Sequence, residues 1–414
     1  METLLESVRQ IAIKDYEYAL PENRIAVYPV EPRDACKLLL YRHGLIGEDR
    51  FAQVADYLPE GGMLVYNNTK VIRARLFFRK ETGAQIEIFC LEPHRPSDYA
   101  QNFQAKGSCE WVCLVGNLKK WKSGPLVRDL QVGGQTVRFT AEHMGAHEHN
   151  QLIRFSWTPG HLSFGDLLEQ AGIIPIPPYL RRESEKSDET TYQTVYSRIV
   201  GSVAAPTAGL HFTDETLQRV DRQGIVRREV TLHVSASTFA PVKSEQMDGH
   251  PMHLEFLSVE RSLLDELIRY EGGITAVGTT SVRTLESLYW FGVHCLETPS
   301  DDASEGLLGD WVLDQWYPYR EHRPFTMADS LQALAACMDR QGLTTFHAST
   351  RLLIAPGYTY RVVNAMITNF HQPESTLLLL VAAFIGDDWR KVYDYALANG
   401  FRFLSYGDGS LLIP

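Results

Sequence analysis

Cysteine is scarce, with six in 414 residues. Cys36, Cys90, Cys109, Cys113, Cys295 and Cys337 are irregularly spaced and contain no C-x-x-C. Cys109 and Cys113 form C-x-x-x-C, but no second pair stands at zinc spacing. Neither a disulfide framework nor a zinc site is expected, only reduced thiols. Long apolar runs are also missing. The longest, residues 377–385, is far below the roughly 20 residues that span a bilayer. The first twenty residues lack the basic region and apolar core of a secretory leader, so a soluble cytoplasmic protein without membrane association is expected. There is no G-x-x-x-x-G-K-[ST], H-E-x-x-H, G-x-S-x-G or strand-linked G-x-G-x-x-G, which removes the direct signatures of NTPases, zincins, α/β-hydrolases and dinucleotide enzymes. Positive charge is in deficit: 40 Lys+Arg against 51 Asp+Glu give −11. A polyanionic partner would therefore need a local basic patch.

What is present is ordinary for a globular chain, 44% apolar and 22% charged. The length exceeds one core and implies at least two domains. Five β-rich runs, at 71–78, 85–91, 110–115, 135–140 and 151–157, have no good helix between them and suggest a small sandwich or barrel. Elsewhere strands and helices alternate. The expected fold is α/β: a large interrupted α/β domain (1–70 and 158–414) with a small β-barrel domain inserted at 71–157. Helices are expected at 163–172, 214–223, 258–270, 281–290, 375–384 and 388–399. Strands are expected at 225–234, 273–278 and 358–366.

Four stretches can carry chemistry. VGTTSVRTLES at 277–287 reads as strand, turn and helix. Its backbone N–H groups and hydroxyls suit a carboxylate or phosphate, and Arg283 could make a bidentate contact. It equally suits an ordinary capped helix. GSVAAPTAGLHFT at 201–213 has little side-chain bulk, so backbone can approach a ligand, with His211 before a helix cap. HPMHLE at 250–255 sets two imidazoles beside a carboxylate. That favours acid/base chemistry over a metal, and a solvated histidine turn is the plain alternative. ITNFHQPEST at 367–376 places Asn369 and His371 before an apolar helix, as ligand groups or as its cap. His143, His147 and His149 are read as surface residues. Basic runs lie at Lys70, Arg73, Arg75, Arg79 and Lys80 and at Lys119, Lys120 and Lys122, the second beside Trp121. They are solvated faces or phosphate contacts.

Together these stretches resemble the S-adenosylmethionine:tRNA ribosyltransferase-isomerase family of queuosine biosynthesis. YPVEPRD at 28–34, LVYNNTKV at 64–71, IPIPPY at 174–179, YQTVY at 192–196 and SYGD at 405–408 join them in order over nearly the full chain. The resemblance implies transfer and isomerisation of the ribosyl group of S-adenosylmethionine onto 7-aminomethyl-7-deazaguanine at the tRNA wobble position. Epoxyqueuosine-tRNA forms, and adenine and methionine leave. S-adenosylmethionine is then a co-substrate, with no permanent cofactor and no metal. On chemical suitability, His211, His253 and Glu255 are assigned to acid/base work. Thr207, Gly209, Gly278, Thr279, Thr280, Ser281, Arg283, Asn369, His371 and Asp408 are assigned to S-adenosylmethionine. Arg33, Lys70, Arg73, Arg75 and Arg79 are assigned to the tRNA anticodon loop. A monomer is the expected state.

The chain departs from the family pattern at several points. LHVGxGTF reads LHVSASTF at 232–239, so Ser235 and Ser237 replace glycines. Arg73 stands for a proline, Lys70 for an arginine, Asn364 for an aspartate and Gly409-Ser410 for Ala-Met. The 291–345 stretch is longer than the pattern. These departures keep two other readings open: a paralogue that binds S-adenosylmethionine or a related nucleoside but serves another acceptor, and a non-catalytic RNA-binding protein.

Overall fold

Three short apolar runs, Met63–Asn67, Ile274–Val277 and Ala365–Asn369, are buried along their whole length. Burial on both faces is what parallel strands require, and these three pair in parallel. The computed structural model describes residues 3–148, 150–235, 242–298 and 311–414. His149, Ser237 and residues 299–310 of the long 291–345 stretch lie outside the described residues.

The chain divides into two compact units. The first comprises residues 1–69, 194–197 and 206–414. Its ten-stranded mixed sheet runs, edge to edge, Val312–Leu313, Thr345–Thr350, Glu255–Glu260, Val226–His233, Met63–Asn67, Ile274–Val277, Ala365–Asn369, Gly409–Ile413, Lys37–Arg42, Leu45–Arg50. The Gly278–Glu297 helix is buried continuously from Thr280 to Val293. Gly292 allows its close approach to the Met327–Arg340 helix, because a Cβ there would sit 2.0 Å from the Ser330 carbonyl oxygen.

Two expectations need correction here. The strand expected at 358–366 forms instead at Ala365–Asn369. The backbone N–H groups of Arg361, Val362 and Val363 are given to the buried Glu286 carboxylate, not to a ladder. The helix expected at 258–270 is a strand, Glu255–Glu260, followed by the helix Arg261–Arg269. Leu257 and Val259 point inward and Phe256 and Ser258 outward, a period of two.

The second unit comprises residues 70–193 and 198–205. It carries a seven-stranded antiparallel sheet in the order Gly172–Ile173, Arg75–Arg79, Gln85–Arg95, Ser108–Gly116, Asn150–Thr158, Gln135–His147, Leu126–Val132. The last strand pairs with its neighbour through Gly133 and Gly134, whose φ values of 58° and 81° suit a tight hairpin turn. Among the described residues the sheet curls without a closing ladder. Arg128 Nη1 instead reaches the carbonyls of Phe77 (3.2 Å) and Ala171 (3.1 Å) across the gap. Ser163 and Asp166 form a capping box for the Phe164–Ala171 helix. Phe164 packs its ring against Trp111, Phe155 and Trp157.

Candidate functional site

Register fixes where the first unit's functional side chains emerge. Val277 pairs with Tyr66 on one side and Ile367 on the other, so all three parallel strands end together. Asn67, Gly278 and Thr368 follow immediately. In open α/β sheets the crevice beyond these carboxyl ends is where ligands bind. Gly278 has φ +81°, open to glycine and strained for other residues, and lets the strand turn directly into the helix without a side-chain cap. Residues 206–213 cross here, with the Ala208 methyl 3.6 Å from where a Gly278 Cβ would stand. Gly209 is required for a different reason: a Cβ would lie 2.0 Å from the Tyr196 hydroxyl.

The antiparallel strand Glu255–Glu260 begins at the same edge, since Phe256 pairs with His233. Its first residue, Glu255, is 2% exposed. His253 Nε2 lies 3.3 Å from Glu255 Oε1, and Arg283 Nη1 donates to Glu255 Oε2 at 2.5 Å. Arg283 is 5% exposed. Its Nε and Nη2 are buried and find no hydrogen-bond partner among the described residues. These two groups form the side-on fork that grips carboxylates in two parallel bonds. The Thr280 hydroxyl, one turn earlier, is likewise buried and unpartnered among those residues. Arg283 and His253 line a cavity of about 20 Å³ together with Met252, Leu353, Thr376 and Leu380. Thr279 is half-buried, and Ser281 spends its hydroxyl on the Val277 carbonyl.

His211 has another setting. Its Nδ1 is 3.4 Å from Cys36 Sγ and its Nε2 is 2.9 Å from Asn369 Nδ2. With the amide as donor, Nε2 accepts and Nδ1 carries the proton. Burial, reinforced by Arg402 and Arg33, pulls its pKa down to about 3. This imidazole stays neutral and holds Asn369, whose Oδ1 accepts from Thr207 Oγ1 at 3.1 Å. A general base near neutral pH works best with a pKa near neutrality, and burial holds His211 well below it. His371 is also neutral, with burial taking it to about 4 and Thr368 Oγ1 2.9 Å from its Nε2.

Asp408, assigned to S-adenosylmethionine, accepts from the backbone N–H groups of Lys37 (2.9 Å) and Arg402 (2.7 Å), which closes the turn before the Gly409–Ile413 strand. Gly409 fits that packing, because a Cβ there would come within 3.0 Å of the Phe51 ring. Asn364 also fits, with Oδ1 accepting the Ile274 N–H at 2.9 Å, a bond an aspartate would make equally.

Sequence reasoning missed Glu286 and Cys36. Burial pushes the Glu286 carboxyl up against four hydrogen bonds, three from backbone N–H groups and one from the Tyr358 hydroxyl. Glu286 lies inside the 277–287 stretch and is three residues from Arg283, so that stretch was the available signal. Cys36 carried none. Among the described residues no group of His, Cys, Asp and Glu is arranged to hold a metal.

The Lys70–Lys80 run is not one free basic face. Arg73 pairs with Glu189 at 2.9 Å and Glu169 at 3.4 Å, and Arg75 pairs with Glu87 at 2.6 Å. Lys70 and Arg79 are exposed, and Arg33, in the first unit, is half-buried.

Residues 13–412 match the family described as "Queuosine biosynthesis protein". Proteins named S-adenosylmethionine:tRNA ribosyltransferase-isomerase are similar along nearly their whole length. The one from Trichlorobacter lovleyi is 37% identical, with 97% of this chain and 99% of that protein covered. The one from Magnetococcus marinus is 36% identical, with 97% and 94% covered. The crystal structure of a Thermotoga maritima S-adenosylmethionine tRNA ribosyltransferase has 28% identity and a TM-score of 0.45, with 96% of this chain and 100% of that one covered.

Proposed function

The chain belongs to the S-adenosylmethionine:tRNA ribosyltransferase-isomerase family of queuosine biosynthesis, and on that footing we propose how its residues divide the reaction. The open fork of Arg283 carries the reading. Two buried N–H donors without partners cost about 1–3 kcal/mol each unless a ligand pairs them. The methionine carboxylate of S-adenosylmethionine matches that fork in charge and shape, with the Thr280 hydroxyl and the Gly278–Ser281 backbone beside it.

His253 removes the proton from the ribose carbon next to the sulfonium. The positive sulfur already acidifies that carbon, so an imidazole is strong enough and no metal is needed. Glu255 orients His253 and stabilises the imidazolium that forms, while Arg283 fixes Glu255. Asn369, held by His211 and Thr207, hydrogen-bonds the nucleoside part as adenine departs. His211 is therefore a positioning residue in this scheme. The acceptor is 7-aminomethyl-7-deazaguanine at the tRNA wobble position, and we place the enzyme in the cytoplasm, with a monomer as the favoured state. Cys36 packs in the core against His211, and burial pushes its thiol pKa up, which disfavours a nucleophilic thiolate.

Incubation with S-adenosylmethionine and tRNA carrying the aminomethyl base tests the reading. Adenine release together with a modified tRNA is expected. Adenine release without tRNA modification would point to another acceptor, and tRNA binding without release to a non-catalytic role.

A further inference from the structure

The second unit brings the end of the first basic run, Arg79 and Lys80, beside the second run at one end of its curled sheet. The hairpin between the Arg75–Arg79 and Gln85–Arg95 strands lies beside the connection that follows the Ser108–Gly116 strand. Two hydrogen bonds brace them: Lys80 Nζ to the Lys120 carbonyl at 3.1 Å, and Asn117 Nδ2 to the Gln85 carbonyl at 3.1 Å. Trp121 is not a free stacking platform. It is 4% exposed, donates Nε1 to the Gly124 carbonyl at 2.8 Å and packs on His143 at 5.6 Å. The buried indole anchors a turn whose flanking lysines, Lys119, Lys120 and Lys122, are all exposed.

These two turns, residues 79–85 and 116–125, hold five cations and one carboxylate, Glu81. The chain as a whole carries −11. Arg73 and Arg75, nearby in sequence, are neutralised by carboxylates, whereas Arg79, Lys80, Lys119, Lys120 and Lys122 form no ion pair among the described residues. A braced positive surface on an acidic protein fits a polyanion backbone.

We propose that these paired turns are the phosphate-docking surface for tRNA, contacted by Arg79, Lys119, Lys120 and Lys122, with Lys80 as the brace. This rests on the tRNA-directed reading above. Backbone contacts of this kind position the RNA without reading its sequence.

The test compares the full-length protein with the Lys119→Gln/Lys120→Gln/Lys122→Gln variant, using a fluorescently labelled tRNA transcript over a salt series. The triple variant is expected to bind tRNA at least tenfold more weakly. Its plot of log affinity against log salt is expected to be shallower by about 2, roughly 0.7–0.9 per lost phosphate contact. KM for tRNA rises while kcat and KM for S-adenosylmethionine hold, and the matching Lys→Arg triple variant restores binding. Affinity and slope equal to wild type would overturn the proposal and leave the tRNA reading intact. Absence of salt-dependent tRNA binding by the wild-type protein would overturn both.

Discussion

Arg283 gives one guanidinium nitrogen, Nη1, to Glu255 and keeps Nε and Nη2 buried without a hydrogen-bond partner among the described residues. The pair therefore joins stability to binding, and two substitutions separate them. Arg283→Met strands a buried carboxylate and is expected to destabilise the fold by about 3 kcal/mol or more. Arg283→Lys keeps the charge next to Glu255, so it is expected to fold but to lose the bidentate grip. Chemical denaturation of both variants checks the order.

Base catalysis by His253 predicts a loss in kcat that is not mainly a binding defect. His253→Gln and Glu255→Gln are each expected to lower the rate of adenine release by about 10²–10⁴-fold. A His253→Gln enzyme with wild-type kcat would remove His253 from the mechanism.

His211 makes a pH prediction of defined sign. Its folded pKa, about 3, lies below the ordinary 6.5, so the unfolded chain takes up the proton first. Its contribution is complete above about 6.5 and is lost as the pH falls toward about 3. The loss is at most about 1.4 kcal/mol per pH unit for one group. His371, at about 4, acts in the same direction. Urea denaturation from pH 7.5 to 5 should show a shallower decline in His211→Gln than in wild type.

Gly209→Ala is expected to destabilise the fold by about 1–3 kcal/mol, because the new methyl meets the Tyr196 hydroxyl. Tyr196→Phe should cost little alone, since that buried hydroxyl has no hydrogen-bond partner among the described residues. It should also recover part of the Gly209→Ala loss, and thermal melting of the double variant measures the recovery.

The sequence was most readable where local pattern and final role coincide. The 277–287 stretch announced a strand, a tight turn and a helix with an arginine, and the structure adds the Arg283–Glu255 pair and the buried role of Glu286. The 250–255 stretch set His253 near Glu255 in sequence, and the turn before the Glu255–Glu260 strand keeps them 3.3 Å apart. What was illegible depends on contacts distant in sequence. Nothing near Cys36 indicates that it will meet His211. Arg73 and Arg75 look like a basic face until Glu169, Glu189 and Glu87 arrive from other elements. Residues 358–364 read as a strand because nothing local reveals that Glu286 will capture their N–H groups. Half of the backbone demand on Asp408 comes from Lys37, at the other end of the chain, which nothing near residue 408 signals.

The central claim is that Arg283 receives the methionine carboxylate, and the most direct measurement is calorimetric binding of S-adenosylmethionine and its decarboxylated analogue to wild type and Arg283→Lys. Wild type is expected to prefer the carboxylate-bearing ligand by at least tenfold, about 1.4 kcal/mol. Arg283→Lys is expected to lose most of that preference while binding the decarboxylated analogue as well as wild type does. An unchanged preference in the variant would contradict the assignment.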